Sequence, residues 1–398
     1  MSVSFARGFT ASGVTAGFKA SGLPDLGLLL SGPGTTAAGL FTTNRVEAAP
    51  VALARQHLAS GSARAVLVNS GQANAATGER GREDAFVATA GAAAVLGVRV
   101  TDVVPCSTGV IGEPIHMDAL IAALPAAVAT IDDDGGDGFA HSIMTTDTVD
   151  KQATRKAGDH RLGGCAKGVG MIAPNLATML AFITTDAAVA PGDLQRLADE
   201  QLKPRFNGFT VDGCTSTNDT VLLLASGAAG GEPVAPGSGT WDAFAGVLAD
   251  LADDLVAQLI ADGEGVTHVL VVDVRGAADE GDARAIARTV ADSPLVKTAV
   301  FGGDPNPGRV LQATGAAGVS IDPTRIDVAF GEVDVARGGV IPPAYFEPAS
   351  TLAEDARTQM KDPEIVLTVS VGDGPASARV FGCDLSYDYV RINGEYTT

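Results

Sequence analysis

The sequence predicts a mixed α/β fold, on three observations. Apolar runs of strand length alternate with amphipathic stretches from end to end, without the sustained period of a helical bundle. Apolar residues within the candidate strands are often consecutive, the pattern of strands covered on both faces. Hydrophobic residues make up 46% of the chain, yet aromatics only 5%, and glycines number 49, so its packing surfaces are built from small residues.

Taken in order, candidate strands run over Ala65 to Val68, Val103 to Cys106, Met179 to Thr184, Val221 to Ala225, Val269 to Val274, Val296 to Phe301 and Ile365 to Val371. The clearest helix spans Trp241 to Ala261, because Phe244, Val247, Leu248, Leu251, Leu255 and Leu259 recur at steps of three and four. Asp282 to Ala291 and Leu352 to Lys361 read as shorter surface helices. Ile131 to Gly138 and Gly227 to Gly239 are rich in Gly, Pro or Asp, so they read as loops and as the natural places for breaks. A length of 398 residues calls for two cores or one large layered one.

The formal net charge of −20 disfavours polyanionic partners, since phosphate backbones are held by clustered Lys and Arg, and nucleic acid is excluded on that ground. The opening MSVSFARGFTASG has no basic and apolar leader, and no apolar run approaches the ~18 residues of a membrane span. A soluble, cytoplasmic protein is expected. The four cysteines (Cys106, Cys165, Cys214, Cys383) form no CxxC pair, and the five histidines (His57, His116, His141, His160, His268) no HExxH. Neither a metal site nor a disulfide framework is expected.

The densest chemical signal is Lys167 to Thr185, KGVGMIAPNLATMLAFITT, where a Gly-rich turn and a Pro-Asn pair lead through Ala177-Thr178 into an apolar strand. This places a hydroxyl where a strand begins, a position Thr also takes for structural reasons alone. Gly168 to Ala173 matches the GxGxxG/A pattern of dinucleotide loops, but such a loop follows an apolar strand and opens a helix. Here RKAGDHRLGGCAK precedes it, and Ala173-Pro174 discourages a helix.

With its neighbours, this segment resembles the ornithine acetyltransferase family, over essentially the whole chain. KGVGMIAPNLATML is similar to the family's autocleavage segment. CSTGVIGE (Cys106 to Glu113), IMTTDT (Ile143 to Thr148), DGCTSTNDT (Asp212 to Thr220), ADGEG (Ala261 to Gly265) and the C-terminal GCDLSYDYVRINGEYTT are similar to other family blocks. One departure is GDPNPGR, Gly303 to Arg309, where Pro307 stands in place of the family's usual tryptophan.

The resemblance implies a layered αββα sandwich, similar to N-terminal nucleophile hydrolases but differently connected. It implies self-cleavage between Ala177 and Thr178 into chains 1–177 and 178–398, two copies of each associating. The chemistry is coherent: an internal threonine lacks a nearby base, whereas the amine freed by cleavage, with an ordinary pKa of about 7.7–8.0, can take the proton of its own hydroxyl. Acetyl would pass from N-acetylornithine to Thr178 and then to glutamate, with no cofactor; acetyl-CoA is a further candidate donor. Thr108 and Gly109 are implied as the oxyanion hole, and Thr145, Lys167, Thr178, Glu264, Asn393 and Thr398 as the substrate-binding set. A carboxylate suits Lys167, and the ornithine ammonium suits Glu264.

The nearest alternative is an aminopeptidase of the same fold, with water resolving the acyl-enzyme. A nicotinamide-dependent oxidoreductase built on GVGMIA and a catalytically silent binding protein are further alternatives; either predicts one uncleaved chain.

Overall fold

The computed structural model describes residues 2–173, 179–348 and 350–395. The chain forms two compact units, the first taking Met1–Asn207 and Cys214–Leu259, the second Gly208–Gly213 and Ile260–Thr397. Their borders fall in neither Gly- or Asp-rich loop that the sequence offered as a break. The proposed cut after Ala177 is no unit border either, since the first unit contains both sides of it.

Fourteen strands are described. In the first unit, β1 (Phe9–Val14), β2 (Leu26–Ser31), β4 (Ala65–Gln72) and β5 (Val103–Val110) form one sheet in the order β1-β2-β4-β5. The second sheet has the order β3-β9-β8-β7-β6, from β3 (Thr36–Phe41), β6 (Lys151–Ala157), β7 (His160–Lys167), β8 (Leu180–Thr185) and β9 (Thr220–Ala225). Strand periodicity separates the faces. Val66 and Val68 of β4 and Leu29 of β2 point into a core shared with Phe182, Leu222 and Leu224 of the second sheet. Their alternates Ala65, Leu67, Leu26 and Leu28 face Ala88, Ala92, Leu120 and Leu124 of the helices Gly78–Leu96 and Met117–Ala129. On the outer face of the second sheet lies the helix Trp241–Ala261. A Cβ placed on Gly164 of β7 would sit 3.2 Å from the Leu251 and Leu255 side chains, so the helix packs directly on that glycine. The layering is helix, sheet, sheet, helix, the αββα sandwich expected.

The second unit is one sheet in the order β12-β11-β13-β10-β14, from β10 (Val269–Ala277), β11 (Asp327–Phe330), β12 (Val333–Ala336), β13 (Glu364–Ser370) and β14 (Ala376–Cys383). Leu270, Val272, Val274, Ile365, Leu367 and Val369 pack against Ile286, Val290, Val296 and Val300. The last two residues correct the sequence reading, because Val296 to Phe301 is not a strand but part of a helix, Pro294–Phe301. Ser293 caps it by accepting the Val296 amide, Pro294 presets its first turn, and Val296 and Val300 share one face at i,i+4. A second correction is smaller: Gly136–Ser142 is a helix, so the loop from Ile131 ends three residues earlier than expected.

Candidate active site

The expected residues of the first unit converge where β7 ends and β8 and β9 begin. Lys167, the last residue of β7, pairs with Leu180, the first of β8, which pairs with Thr220, the first of β9. The Lys167 ammonium donates to Thr145 Oγ1 at 2.8 Å and to Thr108 Oγ1 at 3.3 Å. Lys167 and Thr108 are both buried. Three implied residues, drawn from separate sequence blocks, thus meet at one ammonium group.

Thr108 and Gly109 lie on β5 opposite Ser70 and Gly71 of β4. Gly109 has φ +128° and Gly71 φ +132°, and a Cβ on Gly109 would fall 2.2 Å from the Gly71 carbonyl carbon. Only glycine permits this approach. The turn is also held from below: Ser107 Oγ donates to Asn69 Oδ1 at 2.6 Å, and Asn218 Nδ2 donates to the carbonyls of Ser107 at 2.8 Å and Ala73 at 2.6 Å.

Two acids that the sequence did not single out organise the cluster. The Asp147 side chain is fully buried and accepts from Lys151 Nζ at 2.6 Å, from the Gly168 amide at 2.8 Å and from the Thr145 amide at 3.0 Å. Burial alone would raise its pKa, but the charges of Lys167 and Lys151 and the bonds from Lys151 and Thr145 outweigh it and hold the carboxyl below its usual range. Asp219, 0% exposed, accepts from the amide of Met179 at 3.0 Å. Burial pushes its pKa well up, against the opposing Met179 and Ser216 hydrogen bonds and the Lys167 charge. Both acids lie in quoted blocks, IMTTDT and DGCTSTNDT, so block membership was the available signal.

Lys19 carried no such signal. Asp25, itself buried, collects the amides of Ala16, Gly17, Phe18 and Lys19, and the Lys19 ammonium then reaches the carbonyls of Pro24 at 2.6 Å and Met144 at 2.7 Å. Its pKa falls to about 8, chiefly through burial and further through Lys167, against the acids Asp25 and Asp147.

In the second unit, Glu264 lies just beyond the Trp241–Ala261 helix and accepts from Asn393 Nδ2 at 2.8 Å. Asn393 belongs to the helix Tyr387–Glu395, so this helix is docked beside Glu264. Tyr387 and Val390 are exposed, and the anchors are polar: Ser386 Oγ donates to the Gly265 carbonyl at 2.6 Å and Tyr389 Oη to Asp212 at 3.2 Å. Gly265, at φ +68°, leaves no room for a Cβ beside the Tyr389 amide, 2.4 Å away. Ala177, Thr178 and Thr398 lie outside the described residues.

Gly168 to Ala173 follows β7, and the next described element is strand β8, not a helix, which removes the dinucleotide-loop reading. No described helix is long and apolar enough to cross a membrane. The αββα sandwich, with hydroxyls, a buried ammonium and buried carboxylates gathered at the ends of its inner strands, has the architecture of an enzyme.

The ArgJ family matches residues 10–398, and the chain belongs to this family. It is an acetyl-transferring enzyme of arginine biosynthesis. Among its relatives, the arginine biosynthesis bifunctional protein ArgJ of Synechococcus sp. is 46% identical over 98% of this chain and 96% of its own. The protein of the same name from Thermosynechococcus vestitus is 45% identical over 100% and 98%. Among solved structures, the ornithine acetyltransferase of Mycobacterium tuberculosis complexed with ornithine is 43% identical, with a TM-score of 0.41, over 44% of this chain and 94% of that one. The arginine biosynthesis bifunctional protein argJ of Bacillus halodurans is 36% identical, with a TM-score of 0.49, over 54% and 97%.

Proposed function

We propose that this chain cleaves itself between Ala177 and Thr178 and then, through an acetyl-Thr178 intermediate, carries acetyl from N-acetylornithine to glutamate. The observation that supports this best is the Lys167–Thr108 contact beside the first residues of β8. Attack by the Thr178 hydroxyl on a carbonyl places negative charge on its oxygen, and a Thr108 hydroxyl that already accepts from Lys167 keeps its own proton for that oxygen. The same donors serve the first attack, on the Ala177 carbonyl, and the later one, on the acetyl carbonyl. Because β7 and β9 flank β8, the new N-terminus stays anchored in the sheet after the cut.

Substrate recognition follows from charge. Lys167 and Thr145 suit an α-carboxylate, Glu264, oriented by Asn393, suits the ornithine ammonium, and Thr398 completes the set. Relatives named bifunctional support a second donor, acetyl-CoA, acetylating glutamate directly. The mature enzyme works in the cytoplasm as two copies each of chains 1–177 and 178–398.

Purified protein is expected to run as two fragments on a denaturing gel, with Edman sequencing of the larger reading TMLAFITTD. One full-length species with full activity removes both the maturation and the nucleophile. Glutamate acetylation assayed with N-acetylornithine and, separately, with acetyl-CoA then decides between one donor and two.

Glu264→Gln tests recognition. It keeps the size and the Asn393 contact but removes the charge, so the ornithine ammonium loses a charge-assisted hydrogen bond of roughly 1.5–3 kcal/mol. kcat/KM for deacetylating N-acetylornithine falls about 10- to 150-fold. Self-cleavage continues, because no ammonium ligand takes part in it. An unchanged kcat/KM would reduce Glu264 to a support for Asn393.

A further inference from the structure

Asp219 is buried in a way that an ordinary structural acid is not. Its carboxyl is held by the Met179 amide, which donates to Oδ1 at 3.0 Å, and by Ser216, but its Oδ2, equally buried, has no partner of hydrogen-bonding geometry among the described residues. An ionised carboxylate with an unpaired oxygen is among the costliest groups to bury, and its neutral acid form is far cheaper. The direction of its pKa, pushed well up by burial against the charge of Lys167, agrees. The backbone around it is pinned. Its carbonyl accepts from the Thr42 amide at 3.0 Å, Thr220 donates to the Met179 carbonyl at 3.1 Å, and Asn218 is tied to Ser107, next to Thr108. The amide that Asp219 holds is covalently joined to the Thr178 carbonyl carbon. An asparagine would hold that amide equally well and at less cost, so the hydrogen bond alone does not account for an acid here.

We propose that Asp219 carries the proton that self-cleavage must deliver to the Thr178 nitrogen. This rests on Thr178 being the nucleophile. In the acyl shift, a bond forms between Thr178 Oγ and the Ala177 carbonyl carbon, and the bond from that carbon to the Thr178 nitrogen breaks. The nitrogen gains the Asp219 proton as it departs, and the proton shed by Oγ restores the acid. Asp219 ends as it began, and an amide has become an ester with a free amine. Water then hydrolyses the ester.

The test follows cleavage of newly translated full-length chain on denaturing gels for wild type, Asp219→Asn, and an uncleavable Thr178→Ala reference. Asp219→Asn keeps an acceptor for Met179 but has no acidic proton. It is expected to cleave at least about 100-fold more slowly, in line with loss of a general acid–base group. Its Tm at pH 7 should match or exceed that of Thr178→Ala, since a raised carboxyl pKa stabilises the fold only below the titration and that contribution is lost as pH rises. Cleavage of Asp219→Asn within about threefold of wild type, below the general acid–base range, overturns the proposal. Wild type offers a readout that needs no variant to fold: its cleavage rate should fall at the alkaline end as Asp219 ionises. A rate with no fall at the alkaline end also overturns it. A wild-type chain that never cleaves would refute the nucleophile instead, so the two failures are distinguishable.

Discussion

Thr108→Ala slows acetyl transfer by about 100- to 1,000-fold in kcat, the usual cost of losing one oxyanion donor, and leaves KM for N-acetylornithine nearly unchanged. The expectation comes from how the hydroxyl is held. Lys167 Nζ donates to Thr108 Oγ1 at 3.3 Å, so the oxygen is committed as an acceptor and its proton points elsewhere. The ammonium polarises that O–H, and the bond strengthens most when a full negative charge develops opposite it. Ground-state substrate carries no such charge, so its binding should hardly change. Lys167 keeps Thr145 at 2.8 Å in the variant, which limits collateral movement. Thr108→Ser retains the hydroxyl and most of the rate. A large rise in KM with unchanged kcat would show instead that Thr108 binds ground-state substrate.

Strands were legible in several places where burial on both faces left consecutive apolar residues, as in β4, β8, β9 and β10, although β2, LGLLLS, carries such a run and was missed. Edge strand β6, KQATRKA, and its neighbour β7, HRLGGCAK, gave no such signal, one being polar and the other relying on glycines to admit a helix. Pro294–Phe301 misled for the opposite reason. Its apolar residues are dense enough to imitate a strand, and the decisive cue was the Ser-Pro pair at its start, which is helix-opening chemistry. Thr108, Thr145 and Lys167 could be named in advance through recognisable blocks, but their meeting at one ammonium could not, since 22 residues separate Lys167 from Thr145 and 59 from Thr108. Asp147 and Asp219 lay in the same blocks and went unassigned. Nothing in a string of residues distinguishes a carboxylate locked between two lysines from one stranded beside a backbone amide; only burial and partners do.

Asp147→Asn is expected to destabilise the first unit by about 3–5 kcal/mol, the cost of removing one partner from a buried charge cluster. Lys151 is 1% exposed, and its ammonium donates to Asp147 at 2.6 Å and to the Val149 carbonyl at 3.1 Å. Removing the carboxylate charge takes from Lys151 and Lys167 the buried anion beside them. Asparagine keeps the size, so the loss is electrostatic rather than a cavity. In thermal unfolding this is a fall in Tm on the order of 10 °C at neutral pH. Function should suffer too, because Asp147 holds the Thr145 and Gly168 amides and so sets where Thr145 and Lys167 stand. The pH dependence separates charge from shape. The Asp147 pKa is depressed in the fold, so its contribution is present in full above the unfolded value of about 3.9 and is lost as pH falls through the lower folded value. The gap in Tm between wild type and Asp147→Asn should therefore be wide from about pH 5 upward and narrow steadily below about pH 4. A gap that does not narrow as pH falls below the unfolded value would mean that the amide fails for steric reasons and that the two lysines do not depend on the charge of Asp147.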